Sequence, residues 1–167
     1  MDLIVSSAGI ARFGTWECRC ALGRGGLSRD KHEGDGATPV GSWLLRRLLY
    51  RADRFTTPPL TALAAAAIAP DDGWCDDPAD AQYNLPVKLP YAGRTERLWR
   101  DDDVYDLIVP LGYNDQPPAP GRGSAIFLHL ARPDYSPTEG CVALSLADLR
   151  RYLAFATPTS RVIVLSS

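Results

Sequence analysis

A cysteine attacks a carbonyl as its thiolate, and that requires a base held within hydrogen-bond reach of the sulfur. His129 and Cys141 are the residues whose types and spacing fit this chemistry, in the stretch Ile126 to Leu144, IFLHLARPDYSPTEGCVAL. Read as a strand, Ile126, Leu128 and Leu130 share one face while Phe127 and His129 point to the other, which leaves the imidazole outside the apolar layer. Pro133 and Pro137 shape a loop that swings Cys141 back towards the histidine. Gly140 lets a substrate approach the backbone beside the thiol, and the amides of Gly140 and Cys141 are natural oxyanion donors. Spacing alone also fits a satisfied core histidine and a buried inert cysteine, because free cysteine is among the most buried residue types.

Two motifs change that balance. The His, loop, Thr138-Glu139-Gly140-Cys141 run and the upstream Gly34-Asp35-Gly36-Ala37-Thr38-Pro39-Val40-Gly41 together resemble the YkuD-type L,D-transpeptidases of bacterial peptidoglycan, and Gly123 to His129 is similar as well. The resemblance covers about residues 30 to 150. It implies a cysteine nucleophile, Cys141, a histidine base, His129, and peptidoglycan stem peptides as substrate, with no metal or organic cofactor required. It also implies a periplasmic or cell-wall location. Two positions depart from the commonest pattern of the family: Glu139 stands where a histidine is usual, and Ala143 replaces an Arg or Asn. The loop from His129 to Cys141 is also shorter. These changes put the substrate contacts in question, for which Glu139, Thr138, Arg132, Trp74, Tyr83 and Asn114 are the candidates. Arg132 suits a stem carboxylate or a loop ion pair. An inward Glu139 would raise the thiol pKa, so it is expected to point away or to meet an ammonium of the substrate.

These residues need a scaffold. A chain of 167 residues fits one domain, 1–167, and 14 Gly and 14 Pro favour turns and extended segments over long helices. The resemblance implies a mainly β fold, a YkuD-like β-sandwich or barrel with a short helix after the cysteine. Leu3 to Ser6 and Ile10 to Ala21 read as a hairpin around Ala8-Gly9. Ser42 to Tyr50 fits helix or strand by periodicity, and the resemblance favours strand. The alanines at 64 to 67 fit a short helix or an extended filler. Val104 to Leu111 reads as a buried strand, and Gly112 to Gly123 as a loop carrying Tyr113, Asn114 and Arg122. Ser145 with Asp148 three residues on caps a helix whose Leu146, Leu149, Tyr152 and Leu153 share a face, and Val162 to Leu165 is an apolar closing strand.

Other chemistry is weaker. Cys18-x-Cys20 lacks the second pair a zinc site wants, so no metal is expected. Gly23 to Gly36 matches neither phosphate-binding fingerprint and reads as a solvated connection, with His32 between Lys31 and Glu33 as a surface residue rather than a rival base. The aspartates of Asp71 to Asp77 do not match a calcium loop and read as a solvated turn holding Cys75. A net charge of -2 argues against nucleic acid or an anionic membrane as the main partner. No apolar stretch is long enough to span a membrane, and the N-terminal stretch lacks the basic start and apolar length of a signal peptide, so export rests on something else. Without one, free thiols are the expected state of the cysteines, and a monomer the expected form. Two rival functions stand beside the transpeptidase: an L,D-carboxypeptidase or endopeptidase, in which water replaces the acceptor amine, and a non-catalytic wall-binding β domain.

Overall fold

Short aliphatic runs parted by glycine turns build the start of the chain. In the structure, a computed structural model that describes residues 1–166, β1 (Leu3–Ser6), β2 (Ile10–Phe13) and β3 (Trp16–Ala21) form an antiparallel meander. The expected second arm of a hairpin is thus two strands, because Gly14 adopts a left-handed φ of 55° and turns the chain in the middle of it. The two-residue β4 (Leu27–Ser28) and β5 (Thr38–Pro39) pair with each other in parallel. The stretch left open between helix and strand is two strands, β6 (Gly41–Leu44) and β7 (Leu48–Tyr50), and the alanine run is extended as β8 (Ala65–Ala67) on the sheet edge.

The aspartate-rich segment departs from its reading as a solvated turn. Asp72–Cys75 is β9, the central strand of a small sheet with β10 (Pro86–Lys88) and β11 (Thr95–Arg97), and Cys75 is fully buried in it. Gly73, Trp74 and Cys75 are all buried, while Asp71 and Asp72 pair with Lys88 at the rim. The chain then returns to the main sheet as β12 (Leu107–Pro110), β13 (Phe127–Leu130) and β14 (Val142–Leu144), followed by α1 (Leu146–Leu153) and β15 (Arg161–Val164). Strand β12 begins three residues later than expected, since 104–106 make a turn.

The main sheet has ten strands in the order β6-β15-β1-β2-β3-β14-β13-β12-β7-β8. Strands β6 and β7 lie near its opposite ends, yet only Leu45 to Arg47 separates them in the chain. The sheet therefore curls until its ends meet: Leu45 bridges Leu111, Arg46 N donates to Pro110 O at 3.0 Å, and Gly112 N donates to Leu44 O at 2.8 Å. This is the mainly β, barrel-like fold expected, with one short helix.

Alternation along β13 sorts side chains into two apolar layers. Ile126, Leu128 and Leu130 join Val142, Leu144 and the helix residues Leu149, Tyr152 and Leu153 in the larger core. Phe127 and Cys141 face the second layer with Ile108, Trp74 and Tyr105. The helix thus packs on the face of the sheet opposite the cysteine. Ser145 caps it as read, accepting from Asp148 N at 3.1 Å and donating to Asp148 Oδ2 at 2.6 Å, but Leu146 turns outward and is exposed.

Candidate active site

Strands β13 and β14 are parallel neighbours, in register Leu128 with Val142 and His129 with Ala143. One residue earlier, Cys141 stands beside Phe127, whose amide donates to Cys141 Sγ at 3.3 Å. Because side chains alternate, His129 and Cys141 emerge on the same face and line one cavity of about 660 Å³. Parallel pairing requires a crossover, and residues 131–141 supply it without a helix.

The thiol is enclosed, with 6% of Cys141 exposed, and it donates to Ala125 O at 3.2 Å. Burial first and the Glu96 carboxylate second push it up to about 12, the Phe127 amide and Lys31 pulling the other way and Glu139 adding a smaller upward push. His129 is equally enclosed, and burial lowers it to about 4, its bond to Leu130 opposing the shift and Arg132 and Arg100 adding to it. The resting pair is therefore a neutral thiol and a neutral imidazole. Nδ1 of His129 lies 2.9 Å from Leu130 O, which as an acceptor fixes the proton on Nδ1 and leaves Nε2 as the basic nitrogen. No sequence signal marks that orienting group, because it is a backbone carbonyl. Tyr105 stands edge-on to the imidazole, with centroids 5.2 Å apart.

The Gly34 to Gly41 motif forms the floor under the Thr138 to Cys141 loop. Asp35 accepts from the amides of His32 and Ala37, each at 2.8 Å, and from Lys31 Nζ at 2.6 Å. Thr38 Oγ1 accepts from Gly23 N at 2.8 Å and reaches Cys141 O at 3.4 Å. Thr138 Oγ1 donates to Cys141 O at 2.7 Å and accepts from Gly140 N at 3.1 Å, so that amide, one of the two proposed oxyanion donors, is engaged at rest. Residues 23–36 are solvated only in part, departing from the fully solvated connection read from their polarity. Arg24 N donates to Thr138 O at 2.8 Å, Lys31 is 4% exposed, and a side chain at Gly23 would collide with Gly36 O. His32 is on the surface as expected.

Of the candidate substrate contacts, Thr138, Glu139 and Arg132 line the cavity with His129 and Cys141. Glu139 turns to the rim, where both its oxygens accept from Arg24 Nε at 2.8 and 2.9 Å, and Arg132 donates to Asp102 at 3.3 Å. Trp74, Tyr83 and Asn114 are not among the lining residues; they sit behind the wall because their polar atoms are used inside the protein. Trp74 Nε1 donates to Asn84 Oδ1 at 2.9 Å, and the same oxygen accepts from Ala125 N at 3.0 Å. Tyr83 OH donates to Glu33 at 2.5 Å and accepts from Gly123 N at 3.0 Å. Asn114 Nδ2 donates to Gly123 O at 2.8 Å. Tyr83 and Asn114 directly, and Trp74 through Asn84, thus hold residues 123–125, the segment that leads into β13 and supplies the acceptor for the thiol.

Residues not singled out as site residues from sequence also line the cavity, among them Lys31, Glu33, Arg94, Glu96, Arg100 and Tyr105. They lie far apart in the chain, and only the packing of the small sheet onto the large one gathers them. Among the described residues no cluster of His, Cys, Asp and Glu could hold a metal ion, all four cysteines are free, and no helix is long and apolar enough to cross a membrane.

Known proteins match this arrangement at two levels. The chain aligns over 98% of its length with Mycobacterium tuberculosis L,D-transpeptidase 1, at 17% identity, TM-score 0.44 and 60% coverage of that chain. Against a point mutant of the helical cell shape determining protein Pgp2 from Campylobacter jejuni the identity is 14%, the TM-score 0.50, and the coverage 99% of this chain and 46% of that one. The chain thus spans about half the length of these solved proteins, and the likeness is one of fold. No curated protein matches. At the level of sequence families, the model described as the YkuD L,D-transpeptidase catalytic domain matches residues 9–164, nearly the whole chain, and the chain therefore belongs to the YkuD family.

Proposed function

We propose that this protein is a cysteine-dependent L,D-transpeptidase of peptidoglycan stem peptides, with Cys141 as nucleophile and His129 as base, in the periplasm or cell wall. The observation that carries the reading is the β13–β14 register, which sets both side chains on one face at one cavity. Neutral His129 takes the thiol proton on Nε2 as Sγ adds to the carbonyl carbon of an L-centre residue, so no free thiolate has to accumulate in a site that disfavours it. Backbone amides at Gly140 and Cys141 receive the oxyanion, with Gly140 N exchanging its Thr138 partner for it. Collapse breaks the C–N bond, His129 returns the proton to the leaving amine, and a thioester remains on Cys141. The side-chain amine of a diaminopimelate residue then attacks the thioester, gives its proton to His129 and releases the thiol.

The donor bond is the finer part of the proposal. Glu139 and Ala143 replace residues that commonly shape the donor pocket of the family, and a pocket missing a polar partner loses discrimination for the matching substrate group. We assign the donor carbonyl to the first L-alanine of the stem, which gives 1,3 cross-links. A charged cavity wall also admits water as acceptor, the route to a carboxypeptidase or endopeptidase. Incubation with purified muropeptides and mass spectrometry of the products tests this: 1,3-linked dimers are expected. Dimers only of the 3,3 type would contradict the donor assignment, shortened monomers would move the protein to a peptidase, and unchanged substrate would favour a non-catalytic wall-binding domain.

A further inference from the structure

The charges around Cys141 are paired with one exception. Each cationic side chain lining the cavity has a carboxylate: Lys31 has Asp35 at 2.6 Å, Arg94 has Asp76 at 3.1 Å, and Arg100 and Arg132 share Asp102 at 2.7 and 3.3 Å. Among the lining carboxylates, Asp76 and Glu33 face Arg94, and Glu139 is held by Arg24. Glu96, on β11, has no cation within ion-pair distance among the described residues. Its hydrogen-bond donor is the Tyr105 hydroxyl, at 2.5 Å. Tyr105 is itself buried, stacked edge-on against Phe127 and His129. The carboxylate is therefore held in place beside the thiol by an aromatic that also touches the base.

A half-buried carboxylate without a counter-ion is costly: burial raises its pKa above the usual range, with the Tyr105 hydrogen bond and Arg100 opposing the shift and Asp76 and Glu33 adding to it. A carboxylate so placed is complementary to a ligand cation. Its field also opposes ionisation of Cys141, the group that must lose a proton in the reaction. Resting on the peptidoglycan reading above, we propose that Glu96 is the subsite for an ammonium group of the stem peptide, and that the seated ammonium cancels the negative field of Glu96 at the Cys141 thiol. A correctly charged peptide in the cavity thus makes the nucleophile more reactive than it is in the free enzyme. Glu96 acts here through charge, and Tyr105 is its positioning residue.

The test compares a diaminopimelate-containing stem tetrapeptide with the same peptide acetylated on the diaminopimelate side-chain amine. On the wild-type protein the free amine should bind about tenfold tighter or better, the scale of a charge-assisted contact. Glu96→Gln should bring the two dissociation constants to within about twofold of each other. In the free protein the same substitution should move the pH midpoint of Cys141 alkylation by iodoacetamide downward, because a negative neighbour is gone. Lys31, His129, Glu139 and Tyr105, the other titratable groups near the thiol, are unchanged in both proteins. A merely structural Glu96 would not lower that midpoint. Equal binding of the two peptides by wild-type protein, with turnover intact, overturns the ammonium subsite alone and needs no variant to fold. Binding of neither peptide overturns both the subsite and the peptidoglycan reading. An alkylation midpoint that stays put or rises in Glu96→Gln overturns the coupling to the thiol.

Discussion

At the scale of single residues the proposed chemistry turns on two buried neutral groups, the Cys141 thiol and the His129 imidazole. His129 can serve as the proposed base only while unprotonated, and burial holds it so down to about pH 4. The acid limb of kcat/KM should therefore fall near pH 4 instead of near the ordinary histidine value of about 6.5. An acid limb at 6.5 would show a solvated imidazole. The same shift bears on stability. Between about pH 6.5 and pH 4 the unfolded chain binds a proton at this histidine that the folded one refuses, so its contribution to stability is intact above 6.5 and is lost as pH falls through that window. Chemical denaturation across the window, with His129→Ala as control, should show a slope that the variant lacks. On turnover, His129→Ala should lower kcat by about 10² to 10⁴. Types and spacing alone left the pair ambiguous between a catalytic and an inert core reading, and it was the resemblance carried by two motifs that singled out His129 and Cys141. The outward turn of Glu139 was half legible, as an electrostatic conflict with the thiol, but its partner Arg24 was not, because the ion pair spans distant parts of the chain.

At the scale of elements, the nucleophile loop is held by close approach of backbones. Gly140 has φ of 130°, and a Cβ there would stand 2.8 Å from Ala37 O. Gly140→Ala should cost about 1 to 3 kcal/mol of stability from that strain. Urea unfolding reads the cost, and activity should fall by more than stability explains, since the shift passes directly to Cys141. Wild-type activity in the variant would mean that the loop is not held by this contact. The helix after the cysteine and strand β13 were readable because their apolar periodicity and cap are local. The segment of Asp71 to Cys75 was not. Its aspartates suggested water on all sides, whereas Gly73, Trp74 and Cys75 are all buried in the middle of the small sheet and Asp71 and Asp72 stay at its rim. Trp74 and Tyr83 were equally ambiguous, since an aromatic looks the same in a sequence whether it lines a cavity or supports its wall.

At the scale of the whole molecule, the site exists because two sheets meet over one face of β13. Phe127, 1% exposed, is the contact between them, edge-on to Trp74 at 5.1 Å and to Tyr105 at 5.9 Å. Phe127→Ala should cost about 3 to 5 kcal/mol and loosen the wall that carries Glu96 and Tyr105. A loss under about 1 kcal/mol by equilibrium unfolding would mean that the two sheets do not depend on this packing. The mainly β class was visible from glycine, proline and strand-like runs, and the family from two motifs. Which of these runs would meet around Cys141 was set by long-range pairing that no local pattern encodes. The central claim is that Cys141, and no other cysteine, forms the acyl-enzyme. The most direct measurement is intact-protein mass spectrometry after exposure to a carbapenem, followed by peptide mapping. One adduct per chain on Cys141, absent in Cys141→Ala, is predicted; an adduct on Cys18, Cys20 or Cys75, or none on the folded protein, would contradict it.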